Sequence, residues 1–178
     1  MMILKAEVYV DDVVDLEITF DGYIPFSVEV CGQRKHPPLY WRVGDGVKNM
    51  LEISVQPENR MLSSITLPII DKSCVFEMKG NLKEDLKENS RIPKFCLNMW
   101  EDRGFFSDNF CDDFNVGIKA FLSKDSIMIK IGTSDEEINF IKYSDKLYLG
   151  ITSDGGVSII LLQNLLNKEV ESFLSCVS

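Results

Sequence analysis

The chain has 178 residues, 45% of them apolar and 26% charged, and its 28 acidic side chains outnumber 19 Lys and Arg to leave a net charge of −9. That balance argues against a nucleic-acid binder, whose phosphate affinity rests on clustered Lys and Arg. With 11 Phe, 5 Tyr and 2 Trp the composition also argues against wholesale disorder, and the length suits one domain over residues 1–178.

Met1-Met2-Ile3-Leu4 is apolar, but Lys5 and Glu7 interrupt it before a signal-peptide core can form. The longest apolar stretch, Val157 to Leu166, is broken by Ser158, Gln163 and Asn164 and falls short of the about 20 residues that cross a bilayer. Five widely spaced cysteines (Cys31, Cys74, Cys96, Cys111 and Cys176) form no C-x-x-C pair, so the expected compartment is a reducing cytoplasm.

Period-two alternation dominates the chain. Leu4, Ala6, Val8 and Val10 share one strand face, and Leu16, Ile18 and Phe20 share the next. A turn at Asp21-Gly22 leads to Ile24, Phe26, Val28 and Val30. Pro37 and Pro38 break the pattern, Tyr40 to Met50 shows no clear period, and Gly44-Asp45-Gly46 suits a turn. Leu51, Ile53 and Val55 then run to a short loop, from which Met61, Ser63, Ile65 and Leu67 return as a hairpin.

Val75 to Met78 suits a short strand, Lys79 to Lys94 a polar loop or surface helix, and Phe95 to Asn115 has no clean period. Val116 to Leu122 and Ile127 to Ile131 form another hairpin, as do Leu147 to Ile151 and Val157 to Leu161. Asn167 is the expected N-cap of a closing helix through Cys176, with Val170, Phe173, Leu174 and Val177 as its buried stripe. Leu51-Glu-Ile-Ser-Val with Ser64-Ile-Thr-Leu looks like Leu147-Tyr-Leu-Gly-Ile with Ser158-Ile-Ile-Leu. Shared hairpin patterning explains that likeness as well as duplication does. The expected fold is mainly β (α+β): eight to ten strands in antiparallel sheets, packed as a sandwich or partly closed barrel, with a C-terminal helix.

No catalytic residue, metal site or cofactor site stands out. His36 is the sole histidine and sits beside two prolines, and Cys31 with His36 supplies at most two zinc ligands. Gly44-Asp45-Gly46-Val47-Lys48-Asn49 has Asn where a dinucleotide fingerprint needs its third glycine.

Charge placement is more informative. Asp11, Asp12 and Asp15 open an acidic run that continues through Glu17 and Asp21 without a Lys or Arg. Glu101, Asp102, Asp108, Asp112 and Asp113 interleave with Trp100, Phe105, Phe106, Phe110 and Phe114, and Asp135, Glu136 and Glu137 form a third group. Each cluster also suits a solvated surface, and the rings equally suit a core under a long loop. Aromatic anchors within an acidic rim otherwise suit binding to a basic protein. The candidate partner-binding residues are thus Trp100, Glu101, Asp102, Phe105, Phe106, Asp108, Asp112 and Asp113, with Asp11, Asp12 and Asp15.

At Leu51-Glu52-Ile53-Ser54-Val55 and Ser64-Ile65-Thr66-Leu67 the chain resembles small immunity proteins of bacterial polymorphic-toxin and contact-dependent growth inhibition systems. The resemblance implies a non-enzymatic cytoplasmic antidote that binds one cognate toxin domain, commonly a basic nuclease, and blocks its active site or substrate path. It implies no universal binding motif. Two other classes predict different structures: a small-ligand or carbohydrate-binding β-sandwich needs a concave aromatic-lined pocket, and a carboxylate-based hydrolase needs acids that converge.

Overall fold

The structure is a computed structural model that describes residues 2–32, 35–80, 86, 89–101, 109–133 and 136–178. In chain order its strands begin with β1 (Ala6–Val10), β2 (Leu16–Thr19), β3 (Phe26–Val30), β4 (Leu39–Gly44) and β5 (Asn49–Val55). They continue with β6 (Leu62–Ile70), β7 (Val75–Glu77), β8 (Ile92–Phe95), β9 (Phe110–Asp113) and β10 (Ile118–Leu122). The last four are β11 (Ile127–Ile131), β12 (Ile138–Lys142), β13 (Leu147–Thr152) and β14 (Val157–Leu162). A single turn, α1 (Asn98–Glu101), precedes β9, and α2 (Asn167–Ser175) follows β14.

Two six-stranded sheets share one hydrophobic core. The first has the order β2-β3-β6-β5-β4-β9 and the second β12-β13-β14-β11-β10-β7. Alternation sends Phe26, Val28, Trp41, Leu51, Ile53 and Leu67 inward from the first sheet, all at most 1% exposed. Ala120, Ile127, Ile129, Leu147, Leu149 and Ile160 face them from the second. Trp41 is the largest of the fully buried side chains, and its indole N–H donates to the Met2 carbonyl at 3.2 Å. The outer face of the second sheet carries a smaller apolar cluster in which Leu86, Met128, Ile138 and Phe140 pack on Tyr148, Ile159 and Leu161. Gly150 lies on that face because a Cβ there would come within 2.7 Å of the Ile159 Cβ.

The mainly β class with a C-terminal helix holds, and the sheets form no closed barrel. Four details differ from the sequence-based expectation, the first being that the described residues form fourteen strands instead of eight to ten. The sheets are mixed, because β9 joins β4 and β7 joins β10 in parallel. Helix α2 is capped by the Glu169 carboxylate, which accepts the Leu166 N–H at 2.7 Å, while Asn167 is its first residue and donates to Glu171. Its buried stripe is Val170 and Phe173, whereas Leu174 is half exposed.

Five consecutive strands form the body of each sheet, β2 to β6 in one and β10 to β14 in the other. Both groups take the same spatial order: first, second, fifth, fourth, third. A two-stranded antiparallel ribbon of β1 and β8 accompanies the two sheets, with Ala6 opposite Phe95.

Candidate protein-binding surface

Parallel pairing of β9 with β4 sets Phe110 beside Tyr40 and Asp112 beside Arg42, on the outer face of the first sheet. The Tyr40 and Phe110 rings stack with centroids 4.9 Å apart. The Arg42 guanidinium sits 4.3 Å from the Phe110 centroid and donates through Nε and Nη2 to the two Asp112 oxygens, each at 2.7 Å. This planar two-bond geometry is the strong form of a carboxylate pair.

Glu52 lies across from Arg42 on β5. Burial pushes its carboxyl above the ordinary range, Arg42 opposes that shift and the nearby Asp112 adds to it. Arg42 is held above its already high value mainly by its bonds to Asp112.

Two rows of side chains cross this face, Glu17-Glu29-Ser64-Ser54-Tyr40-Phe110 and Thr19-Ser27-Thr66-Glu52-Arg42-Asp112. Ser54 and Ser64 are recessed and joined by a hydroxyl hydrogen bond of 2.5 Å, so the middle of the face is low and polar. Four carboxylates and one guanidinium give these rows a negative balance.

The acidic run before β2 occupies the opposite edge of the same sheet. With strands about 4.8 Å apart, Asp15 beside β2 and Asp112 on β9 stand roughly 24 Å from each other. Asp11 is exposed and pairs with Arg91 at 3.3 Å, while Asp12 accepts the N–H of Val13 at 2.8 Å. Asp12 and Asp15 border a cleft of about 200 Å³ whose lining includes Val14, Val30, Gln56 and Met61.

The other candidate residues divide into distinct groups. Glu101 is exposed. Trp100 is buried, and its indole N–H donates to the Tyr40 carbonyl at 3.2 Å, so its ring belongs to the core. Asp113 points away from Asp112, is 8% exposed and accepts the Met2 N–H at 2.7 Å. Asp102, Phe105, Phe106 and Asp108 lie outside the described residues.

Tyr40, Arg42 and Glu52 were not singled out from the sequence, since they join the Phe110–Asp112 group only through a parallel pairing of segments about seventy residues apart. Glu136, from the third acidic group, lies near Lys5, whose ammonium donates to Asp154 at 2.8 Å. Among the described residues, no three His, Cys, Asp or Glu side chains gather as metal ligands, and no helix is long and apolar enough to cross a membrane.

No family model matches the chain. A stretch of 72 residues is 39% identical to Immunity protein CdiI-1 of Escherichia coli O157:H7 (strain EC869), covering 84% of that protein and 40% of this chain.

Proposed function

This chain belongs to the CdiI family of contact-dependent growth inhibition immunity proteins, and on that premise we propose that it neutralises a cognate toxin domain by binding it, without catalysis. The observation that carries this proposal is the 39% identity across most of the length of Immunity protein CdiI-1. The partner we propose is a basic, nuclease-type toxin domain met in the cytoplasm.

Net charge supports that choice of partner. A surplus of nine negative charges speeds encounter with a cationic protein and suppresses association with acidic ones. Asp11, Asp12, Asp15, Glu101 and Asp112 are the exposed or partly exposed candidates for the contact. Asp102, Phe105, Phe106 and Asp108 complete the proposed set by sequence position, and Trp100 and Asp113 support it from beneath. Asp112 meets a partner already paired with Arg42, so it contributes shape and a bonded carboxylate more than free charge. The cleft beside Asp12, at about 200 Å³, is smaller than the roughly 300–1,000 Å³ of small-molecule sites. It does not favour a ligand-binding alternative.

The test is binding of the full chain to its cognate toxin domain, with association and dissociation followed separately at low and high salt. Asp11→Lys, Asp12→Lys and Asp15→Lys together slow association by at least tenfold at low salt, and the difference shrinks as salt rises. Unchanged association and unchanged salt dependence would remove this acidic edge from the interface. Asp113 is unsuitable for charge reversal, since a buried lysine at that position would disturb the fold instead of the surface.

A further inference from the structure

We infer that this chain is a fused pair of equivalent units, and that the sheet face each unit buries is the face through which a one-unit family member pairs with a second copy of itself. The shared strand order is the first support, and the register makes it specific. Across the first sheet the ladder aligns Glu17, Glu29, Ser64, Ser54 and Tyr40; across the second it aligns Lys119, Lys130, Ile159, Gly150 and Phe140. The neighbouring rows match again, Thr19-Ser27-Thr66-Glu52-Arg42 against Phe121-Met128-Leu161-Tyr148-Lys142. Leu51 to Val55 therefore occupies the positions of Leu147 to Ile151. The partner strands are displaced by one residue from their sequence likeness, with Ser63, not Ser64, matching Ser158.

The β1–β8 ribbon obeys the same exchange. The Ala6 N–H donates to the Gly155 carbonyl at 2.8 Å, and the Phe95 N–H, opposite Ala6, donates to the Arg60 carbonyl at 2.7 Å. Gly155 and Arg60 each lie four residues before a matched ladder position, Ile159 and Ser64. Both have left-handed backbone, with φ of 89° and 62°. The strand leading into each unit thus binds the hairpin turn of the other unit, as expected of two copies related by a twofold axis.

Size agrees. Seventy-two residues make up 84% of the E. coli relative but only 40% of this chain, so that relative has room for one unit and not two. A single unit would leave side chains equivalent to Phe26, Trp41, Leu51 and Ile53 facing water, an apolar sheet face that calls for a partner. Fusion in turn lets the two outer faces diverge. Glu17 and Glu29 in the first sheet become Lys119 and Lys130 in the second, so this chain presents its acidic sheet once.

The experiment compares both proteins by light scattering and by chemical unfolding over a hundredfold range of concentration. Immunity protein CdiI-1 runs at twice its chain mass, and its unfolding midpoint rises with concentration because separation exposes the sheet face and unfolds the unit. This chain runs at its own mass of 20.3 kDa with a midpoint independent of concentration. A monomeric relative overturns the inference, as does a dimeric relative with a constant midpoint, or a dimer of this chain whose midpoint depends on concentration. None of these outcomes depends on whether a toxin is bound.

Discussion

Replacing Arg42 with Met removes the one guanidinium that organises the outer edge of the first sheet while keeping most of the side chain's length. Two charge-assisted bonds to Asp112 at 2.7 Å are lost, together with the cation held 4.3 Å from the Phe110 ring. Hydrogen bonds to charged groups contribute about 1.5–3 kcal/mol. The Arg42 and Asp112 side chains are 26% and 34% exposed, so water screens part of this and about 1–2 kcal/mol remains. The ring contact adds about 0.5–1 kcal/mol. Loss of the cation also leaves Asp112 and the half-buried Glu52 as uncompensated neighbours, and the total comes to about 2 kcal/mol. In a protein of this size that lowers the melting temperature by roughly 4–8 °C, measurable by circular dichroism. A cycle with Asp112→Asn isolates the pair, with an expected coupling of about 1–2 kcal/mol. If the two substitutions instead add to within about 0.5 kcal/mol, the ion pair does not hold β9 against β4.

Three further substitutions probe other parts of the fold. Because burial raises the Glu52 carboxyl, its ionisation costs folding stability, and the contribution of this one group falls as pH rises above the unfolded value of about 4.3. Glu52→Gln is therefore more stable than wild type at pH 7, with the gap closing toward pH 4; a gap independent of pH contradicts this. Asp154 is held down to about 2 by the Lys5 ammonium first, then by the Thr152 hydroxyl and the Gly156 N–H. Its contribution is present above the unfolded carboxyl value and lost as pH falls toward 2, so Asp154→Asn destabilises at neutral pH and not at pH 2, as urea midpoints would show. Trp41→Ala, at a site with no exposure, costs about 3–5 kcal/mol in chemical unfolding, and a loss below about 1 kcal/mol would mean that the core closes over the gap.

Local alternation made most strands legible. Leu51 to Val55 and Leu147 to Ile151 each send alternate residues into the main core, and short polar turns follow them. The segment from Leu39 to Gly44 was harder, since Tyr40 and Arg42 are only half hidden and their partners on β9 come from far along the chain. Strand β12 has no legible period in the sequence, because Ile138 and Phe140 pack on the outer cluster while Ile141 enters the main core.

The acidic residues were legible as composition but not as places. Asp112 and Asp113 are adjacent in sequence, yet the pleat sends one to the sheet surface and the other inward to the Met2 N–H. By residue type Trp100 suits an anchor and a core position equally, and its burial places the ring in the core. The correspondence of the two sheets was masked because sequence likeness survives mainly in one hairpin, slipped by one residue in its second strand, while the backbone register is kept throughout.

Neutralisation by binding is tested most directly by titrating the purified chain into its cognate toxin domain in a calorimeter, with the toxin's own activity followed in parallel. One chain binds one toxin domain, and activity falls in step with occupancy. Heat absent at micromolar concentrations of both proteins, or full toxin activity at saturation, contradicts it.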